Sequence, residues 1–287
     1  MIDAQTPGPI AFQGFPGAYS DLACRAVFPG RDTLPCRSFE DALAAVRGGD
    51  AAYAVIPIDN SLAGRVADVH HLLPKLGLHI IGEHFEPVHH HLLALPGVAI
   101  SELRTVHSHV HALSQCRDSI RALGLTPIVA FDTAGAAQEL AAAGDRSAAA
   151  IASALAGEVY GLVSLKAGME DAAHNTTRFV ILAREALVPA VDAGPAVTSL
   201  IFRVRNVPAA LYKALGGFAT NGINMTKLES YMAGGMFSAT EFYLDVEAHE
   251  GERRLRLALE ELAFFSESIS ILGTYAAHPY RFKDGRP

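Results

Sequence analysis

Short apolar runs recur along the chain, each closed by a polar or glycine turn. Ile10-Ala11-Phe12-Gln13 reads as a buried strand ending at Gly14-Phe15-Pro16-Gly17, and Ala18 to Val27 reads as a helix. Strand, glycine turn and helix make an α/β opening. Phe39 to Val46 reads as a second helix with Phe39, Leu43 and Val46 on one face. Tyr53 to Pro57 predicts a buried strand, and the run Ile58-Asp59-Asn60-Ser61-Leu62-Ala63-Gly64-Arg65 predicts a loop at its carboxyl end. Open α/β sheets bind ligands in that place. Val69 to Leu76 predicts a helix and His79 to Glu83 a strand, and Glu86 to Leu95 reads as an extended crossing between two lobes. Thr105 to His107 predicts a strand, followed by a helix capped by Ser108 that runs to Leu123 and stops at Gly124. Ile128 to Ala130 leads through Asp132 to a small-residue helix start at Thr133-Ala134-Gly135. Ala148 to Ala152 and Phe179 to Leu182 predict strands, with a short extended piece at Leu162 to Leu165.

Residues 184–196, with Pro189, Gly194 and Pro195, read as a linker. Beyond it come a strand (Ser199 to Val204), a helix (Ala209 to Phe218, Pro208 at its start) and a strand (Ile223 to Tyr231). A Gly234-Gly235 turn, a strand (Phe237 to Val246), a helix carrying Leu255, Leu259 and Leu262, and a strand (Ile269 to Tyr275) follow. That order, βαββαβ, is ferredoxin-like.

Composition narrows the class. At 287 residues, half of them hydrophobic, the chain is long enough for about two domains. A net charge of -7 with no basic block argues against nucleic acid as a partner. Cys24, Cys36 and Cys116 form no CxxC pair, which suits a reducing compartment without a disulfide framework or zinc site. Met1 to Pro9 lacks the features of a signal peptide and no run of 18 apolar residues occurs, so a cytoplasmic location is expected. Ten of the 13 histidines lie between His70 and His111, which invites a metal site. His89 and His91 share a face if the stretch is a strand, but no fourth ligand at normal zinc spacing is evident, and ordinary strand or surface histidines are the other reading.

The densest candidate chemistry is Asn175-Thr176-Thr177-Arg178-Phe179, at the mouth of a strand. An amide, two hydroxyls and a guanidinium there suit an anionic substrate. Arg178 can grip a carboxylate through two parallel hydrogen bonds, and a neighbouring Thr hydroxyl can donate to a leaving oxygen. A solvated turn before a buried strand is the plainer alternative. The helix start at Gly17-Ala18-Tyr19-Ser20 offers backbone N–H groups to an anion, or is simply a βα turn; its glycines match neither GxGxxG nor a P-loop. Ser108 either caps its helix or, with Gln115, faces the cleft.

Taken in order, these stretches resemble prephenate dehydratase, a catalytic domain followed by an ACT regulatory domain. The resemblance rests on Gly14-Phe15-Pro16-Gly17-Ala18-Tyr19-Ser20, Pro57-Ile58-Asp59-Asn60-Ser61 with Gly64, and Val106-His107-Ser108-His109 with Gln115-Cys116. Thr133-Ala134-Gly135-Ala136-Ala137 and Asn175-Thr176-Thr177-Arg178-Phe179 complete the catalytic set. Pro208-Ala209-Ala210-Leu211 looks like the GAL-type loop of the ACT unit, and Gly222 to Ser230 like the segment ending in its ESRP motif. Asp59 stands where the family usually has Glu, Val110-His111 replaces Pro-Gln, and Tyr231-Met232 replaces Arg-Pro.

The resemblance implies an α/β fold: a two-lobed catalytic domain like a type II periplasmic binding protein over 1–185 (lobes 1–88 with 162–185, and 89–161), then an ACT domain over 197–279. It implies conversion of prephenate to phenylpyruvate, CO2 and water without a cofactor, since aromatisation drives the reaction. Thr177 would be the donor to the departing hydroxide and Arg178 the carboxylate grip, with Asn60, Ser108 and Gln115 as further catalytic residues. Thr133, Ala134, Thr176 and Ser20 would bind substrate. Phenylalanine would bind the ACT unit at Val207, Pro208, Ala209, Ala210, Leu211, Glu229 and Ser230, at an interface of a homodimer or homotetramer. Arogenate dehydratase and a non-catalytic amino-acid sensor are the competing readings.

Overall fold

The computed structural model of the chain describes residues 6–75, 77–172, 174–205, 207–232 and 239–282; the expected Gly234-Gly235 turn lies outside them. The first part runs β1 (Ile10–Gln13), α1 (Tyr19–Val27), β2 (Thr33–Cys36), α2 (Phe39–Gly48), β3 (Tyr53–Asn60), β4 (Gly64–Arg65), α3 (Ala67–Leu72) and β5 (His79–Pro87). Next come β6 (His91–Ala94), β7 (Thr105–Ser108), α4 (Val110–Gln115), α5 (Arg117–Ala122), β8 (Thr126–Val129), α6 (Thr133–Ala143), β9 (Ala148–Ala152), α7 (Ala154–Tyr160), β10 (Val163–Ala167) and β11 (Thr176–Ala183). Last are β12 (Ala196–Val204), α8 (Ala210–Thr220), β13 (Met225–Met232), β14 (Ala239–Val246), α9 (Arg253–Phe265) and β15 (Ser266–Ala276).

The chain divides into two compact units, one of Ala4–Val66 with His84–Phe179, the other including Ala67–Glu83 and Val180–Pro287. The α/β part holds two sheets, ordered β2-β1-β3-β11-β5 and β8-β7-β9-β6-β10. Both repeat one scheme: the second, first and third strands of a lobe lie side by side, and the next strand comes from where the chain passes between lobes. That repeated order is the topology of a type II periplasmic binding protein. In the second sheet Leu92, Ala149 and Ile151 face α4 and α5, while Leu93, Ala148, Ala150 and Ala152 face α6 and α7. Helices on both faces account for strands that are apolar throughout.

Three local expectations change. Sequence reading passes over β2, because Thr33-Leu34-Pro35-Cys36 has no apolar run. Pro35 lacks an N–H, and the strand lies at the sheet edge, where that is tolerated. The polar run after Pro57 is still strand as far as Asn60, because Asp59 pairs with Arg65 and Asn60 with Gly64 in a tight hairpin. The helix expected from Ser108 to Leu123 is two helices. The Gln115 carbonyl accepts from the Asp171 N–H at 2.7 Å, and the Asp171 carboxylate accepts from the Asp118 and Ser119 N–H groups at 3.2 and 3.4 Å, which caps a second start. The cap of α4 is His109, not Ser108.

The βαββαβ segment forms an antiparallel sheet ordered β13-β14-β12-β15, the ferredoxin-like arrangement. One face buries Leu200, Phe202, Val204, Phe242, Leu244 and Val246 against α8 and α9. α8 begins one residue later than expected, because Ala209 takes a left-handed conformation (φ 63°) as its N-cap. The other face of the sheet carries polar groups that are fully buried: Ser199 donates to Asp245 at 2.5 Å and lies 2.8 Å from the Tyr275 hydroxyl. His70 of α3 and Ile80 of β5 lie against it. The His70 ring meets Tyr243 edge-on at 5.5 Å, its Nδ1 lies 2.5 Å from the Tyr231 hydroxyl, and any side chain at Gly273 would strike the Ile80 carbonyl.

The same unit closes on a buried ion pair. Arg281 donates from both Nε (2.6 Å) and Nη2 (2.8 Å) to the Glu83 carboxylate, which also accepts from the His278 N–H at 3.1 Å. Arg281→Ala strands a fully buried carboxylate and should cost about 3–5 kcal/mol. A thermal unfolding midpoint unchanged by Arg281→Ala would contradict this, and Glu83→Gln with Arg281→Met should recover much of the loss.

Candidate active site

The site grows from the hairpin at the end of β3. The Asn60 side-chain oxygen accepts from the backbone N–H groups of Leu62 (3.0 Å) and Ala63 (2.8 Å). Such an Asx turn closes the connection to β4. It also fixes which end of the amide is which: the oxygen faces the backbone donors, so the NH2 faces β11. Both hydrogens are used there, one to the Asn175 Oδ1 at 2.8 Å and one to the Thr177 Oγ1 at 3.0 Å.

Thr177 Oγ1 is therefore an acceptor in this arrangement, and its own hydrogen points elsewhere. Among the described residues it makes no second hydrogen bond, and the side chain is partly open to solvent. An oriented hydroxyl with its proton toward an opening is suited to donate to a bound oxygen. Asn175 continues the set, its NH2 reaching the Gln115 Oε1 at 3.0 Å. Asn60, Gln115 and Thr177, named from separate stretches of sequence, thus meet around Asn175. Asn175 belongs to the same motif as Thr177, where its amide counts only among groups that suit an anion; the fold shows that it bridges Asn60 to Gln115.

Arg178 does not join this cluster. Successive side chains of a strand point to opposite faces, so Thr177 and Arg178 part company. Arg178 is buried, with a guanidinium nitrogen 3.7 Å from the Asp59 carboxylate, itself one residue from Asn60 and on the opposite face. The adjacency that suggests a shared role in sequence separates the two in a strand. Ser108 is fully buried and donates to the Ile151 carbonyl at 2.6 Å, joining β7 to β9. Thr176 is buried and fixes the hairpin: its N–H donates to Ser61 Oγ at 3.0 Å and its carbonyl accepts from the Ser61 N–H at 2.9 Å.

The helix starts that carry Thr133, Ala134 and Ser20 each hold a carboxylate of the chain itself. Asp132 caps α6 and accepts from the Gly135 N–H beside Thr133 and Ala134; burial pushes its pKa up against the pull of those backbone donors. At α1, which carries the buried Ser20, the Gly17 N–H donates to Asp21 at 2.8 Å. Gly17 is required for packing. Its φ is +86° and a Cβ there would lie 2.7 Å from the Ala156 Cα, while Ser153 at the start of α7 donates to its carbonyl. The histidine run divides among separate partners: His89 pairs with Glu170 (3.1 Å), His90 with Tyr19 and Gln115, and His91 with Ser164 (2.9 Å).

The family model described as prephenate dehydratase matches residues 10–187. The chain belongs to the prephenate dehydratase family. It is 55% identical over 276 residues to a bifunctional N-acyl-homoserine lactone acylase/prephenate dehydratase of Komagataeibacter europaeus, covering 96% of this chain and 98% of that one. It is 40% identical over 280 residues to the chloroplastic arogenate dehydratase/prephenate dehydratase 1 of Arabidopsis thaliana, covering 93% of this chain and 71% of that one. A solved prephenate dehydratase of Arthrobacter aurescens in complex with L-Phe aligns with a TM-score of 0.87 at 28% identity, over 97% of this chain and 91% of that one. Family membership makes the chain a dehydratase, a lyase, and the site above lies within the matched residues. Among the described residues no helix is long and apolar enough to cross a membrane.

Proposed function

We propose that this chain converts prephenate to phenylpyruvate, carbon dioxide and water. The carboxylate on the ring carbon leaves as CO2, its bonding electrons enter the ring, and the C–O bond on the opposite side of the ring breaks. The departing hydroxide takes one proton and leaves as water. The observation that carries this reading is the polarity at Thr177: Asn60 donates to Oγ1, so the hydroxyl presents its own hydrogen. A threonine is a weak acid, so the bond to the leaving oxygen strengthens as charge develops there. General-acid assistance of this kind contributes about 10²–10⁴-fold.

Neutral donors take the substrate's charges on this reading. The Gln115 oxygen is already occupied, which leaves its NH2 for a carboxylate, and Thr133 at the start of α6 offers a hydroxyl. Arg178, paired with Asp59, steadies the strand end that carries Asn60. Arogenate, with an ammonium group in place of the side-chain ketone, undergoes the same elimination, and the Arabidopsis relative is named for both substrates. The name of the Komagataeibacter relative, at 55% identity, favours testing hydrolysis of N-acyl-homoserine lactones as a second activity.

The βαββαβ unit serves on this proposal as an ACT domain that binds L-phenylalanine at the interface of a homodimer or homotetramer. The A. aurescens neighbour was solved with L-Phe, which supports the ligand. The left-handed backbone at Ala209 is a conformation glycine adopts freely, as suits a GAL-type turn, and Val207 and Pro208 beside it are exposed. β12 and β13 are both antiparallel to β14, so Val207 to Leu211 and Glu229-Ser230 stand at one end of the sheet with β14 between them. Tyr231, in place of the usual arginine, would carry ligand binding at that end to His70 of α3.

Thr177→Ala should lower kcat for prephenate about 100-fold or more while KM changes little, and Thr177→Ser should retain part of the rate. Near-normal kcat in Thr177→Ala would remove the assignment. Calorimetric titration should show L-phenylalanine binding to wild type and not to Ala210→Trp. No binding to wild type at millimolar ligand would end the regulatory reading, and binding unaltered in Ala210→Trp would move the site.

A further inference from the structure

The hydrogen-bond chain that starts at Asn60 does not stop at Gln115. Gln115 Oε1 lies 3.2 Å from His90 Nε2, and His90 Nδ1 lies 2.9 Å from the Tyr19 hydroxyl. Neither His90 nor Tyr19 has a role in the chemistry described so far, yet His90 is 2% exposed and Tyr19 belongs to the glycine turn's helix. The polarity set by the Leu62 and Ala63 N–H groups passes along the whole chain. Asn60 shows its NH2 to the Asn175 oxygen, so Asn175 shows its NH2 to Gln115 and the Gln115 oxygen must face Asn175. That oxygen also faces His90 Nε2, which must then carry a hydrogen. Nδ1 of a neutral ring is left as an acceptor, and the Tyr19 hydroxyl is the donor in reach.

We propose that His90 is a positioning residue for the dehydration, locked as the neutral Nε2–H tautomer, holding the Gln115 and Asn175 amides so that the Thr177 hydrogen and the Gln115 NH2 face the substrate. Burial favours the neutral ring by lowering the His90 pKa, against the opposing pull of Gln115 and Glu170. The Glu170 carboxylate takes the His90 backbone N–H at 2.8 Å and pairs with the neighbouring His89, so it anchors the ring's backbone without touching its nitrogens. The Met169 N–H donates to the His90 carbonyl at 3.0 Å, which fixes the other side of the peptide. The single Tyr19 hydrogen divides between His90 Nδ1 and the His89 carbonyl at 2.8 Å. The ring contacts no bond-breaking atom on this reading; it acts through two amides.

The proposal rests on the dehydratase reading for its kinetics and on nothing but the fold for its tautomer, so the two fail separately. Two-bond nitrogen–proton correlation spectra of the full-length 15N-labelled protein at pH 7 should show His90, assigned by its loss in His90→Leu, as the neutral Nε2–H form. In Tyr19→Phe that pattern should weaken or change. A wild-type Nδ1–H or doubly protonated ring would overturn the proposal, whatever the substrate proves to be. With whichever of prephenate or arogenate the wild type turns over, His90→Leu and His90→Gln should lower kcat about 10- to 100-fold with KM within about threefold. Combining His90→Leu with Thr177→Ala should add little to the loss from Thr177→Ala alone, because both remove one function. Losses that multiply, or a folded His90→Leu with wild-type kcat, would reduce His90 to a packing residue and overturn the assignment.

Discussion

Two backbone N–H groups on one amide oxygen set the chemistry of this site. Leu62 and Ala63 donate to Asn60 Oδ1 because the hairpin after β3 is tight, and the hairpin is tight because Gly64 (φ +79°) pairs with Asn60 across it. Everything beyond follows from satisfying donors and acceptors in turn. An amide turned the wrong way would face NH2 to NH2 at Asn60, or oxygen to oxygen at Gln115, at a cost of about 1–3 kcal/mol for each stranded group. The orientation of the Thr177 hydroxyl is thereby tied to backbone geometry in a distant hairpin.

Strand alternation is the second constraint. β11 delivers Thr177 to the cluster and turns Arg178 away from it, toward Asp59 of β3. The same alternation on β3 sends Asn60 to one face and Asp59 to the other, so the two strands present matched pairs on opposite sides. Thr177 gains an oriented donor from one pair, and the other pair ties the strand ends together beneath it. In the second unit, part of the βαββαβ sheet's polar face is buried. There Ser199, Asp245, Tyr243 and Tyr275 are buried on the side that meets His70 and Ile80, and Glu83 is held by Arg281.

Much of the architecture is legible in the sequence because it rests on local patterns: apolar runs of strand length, glycine turns, and the six-element order after the linker. The meeting of Asn60, Gln115 and Thr177 is legible only through the family motifs, since nothing in the spacing of residues 60, 115 and 177 brings them together. His90 has no such signal, for a histidine in a run of three shows nothing of which one turns inward, and the motif that contains Tyr19 gives its hydroxyl no partner. Arg178, next to Thr177 in sequence, approaches Asp59 instead of the amide cluster, because strand alternation parts neighbours in sequence. The break between α4 and α5 depends on Asp171, more than fifty residues on, and no local reading of Ser108 to Leu123 contains it. The burial of Ser199 and Asp245 on the side that meets His70 and Ile80 is likewise a tertiary fact.

On the proposed mechanism Thr177 donates to substrate because Asn60 donates to Thr177. Asn60→Asp tests it most directly. The carboxylate still accepts from Leu62 and Ala63, so the turn survives, but the second oxygen draws the Thr177 hydrogen toward itself and meets the Asn175 oxygen without a donor. Steady-state turnover of prephenate by Asn60→Asp, with folding checked by circular dichroism, should show kcat reduced about 100-fold or more in a protein of native structure. A natively folded Asn60→Asp that retains wild-type kcat would contradict the account.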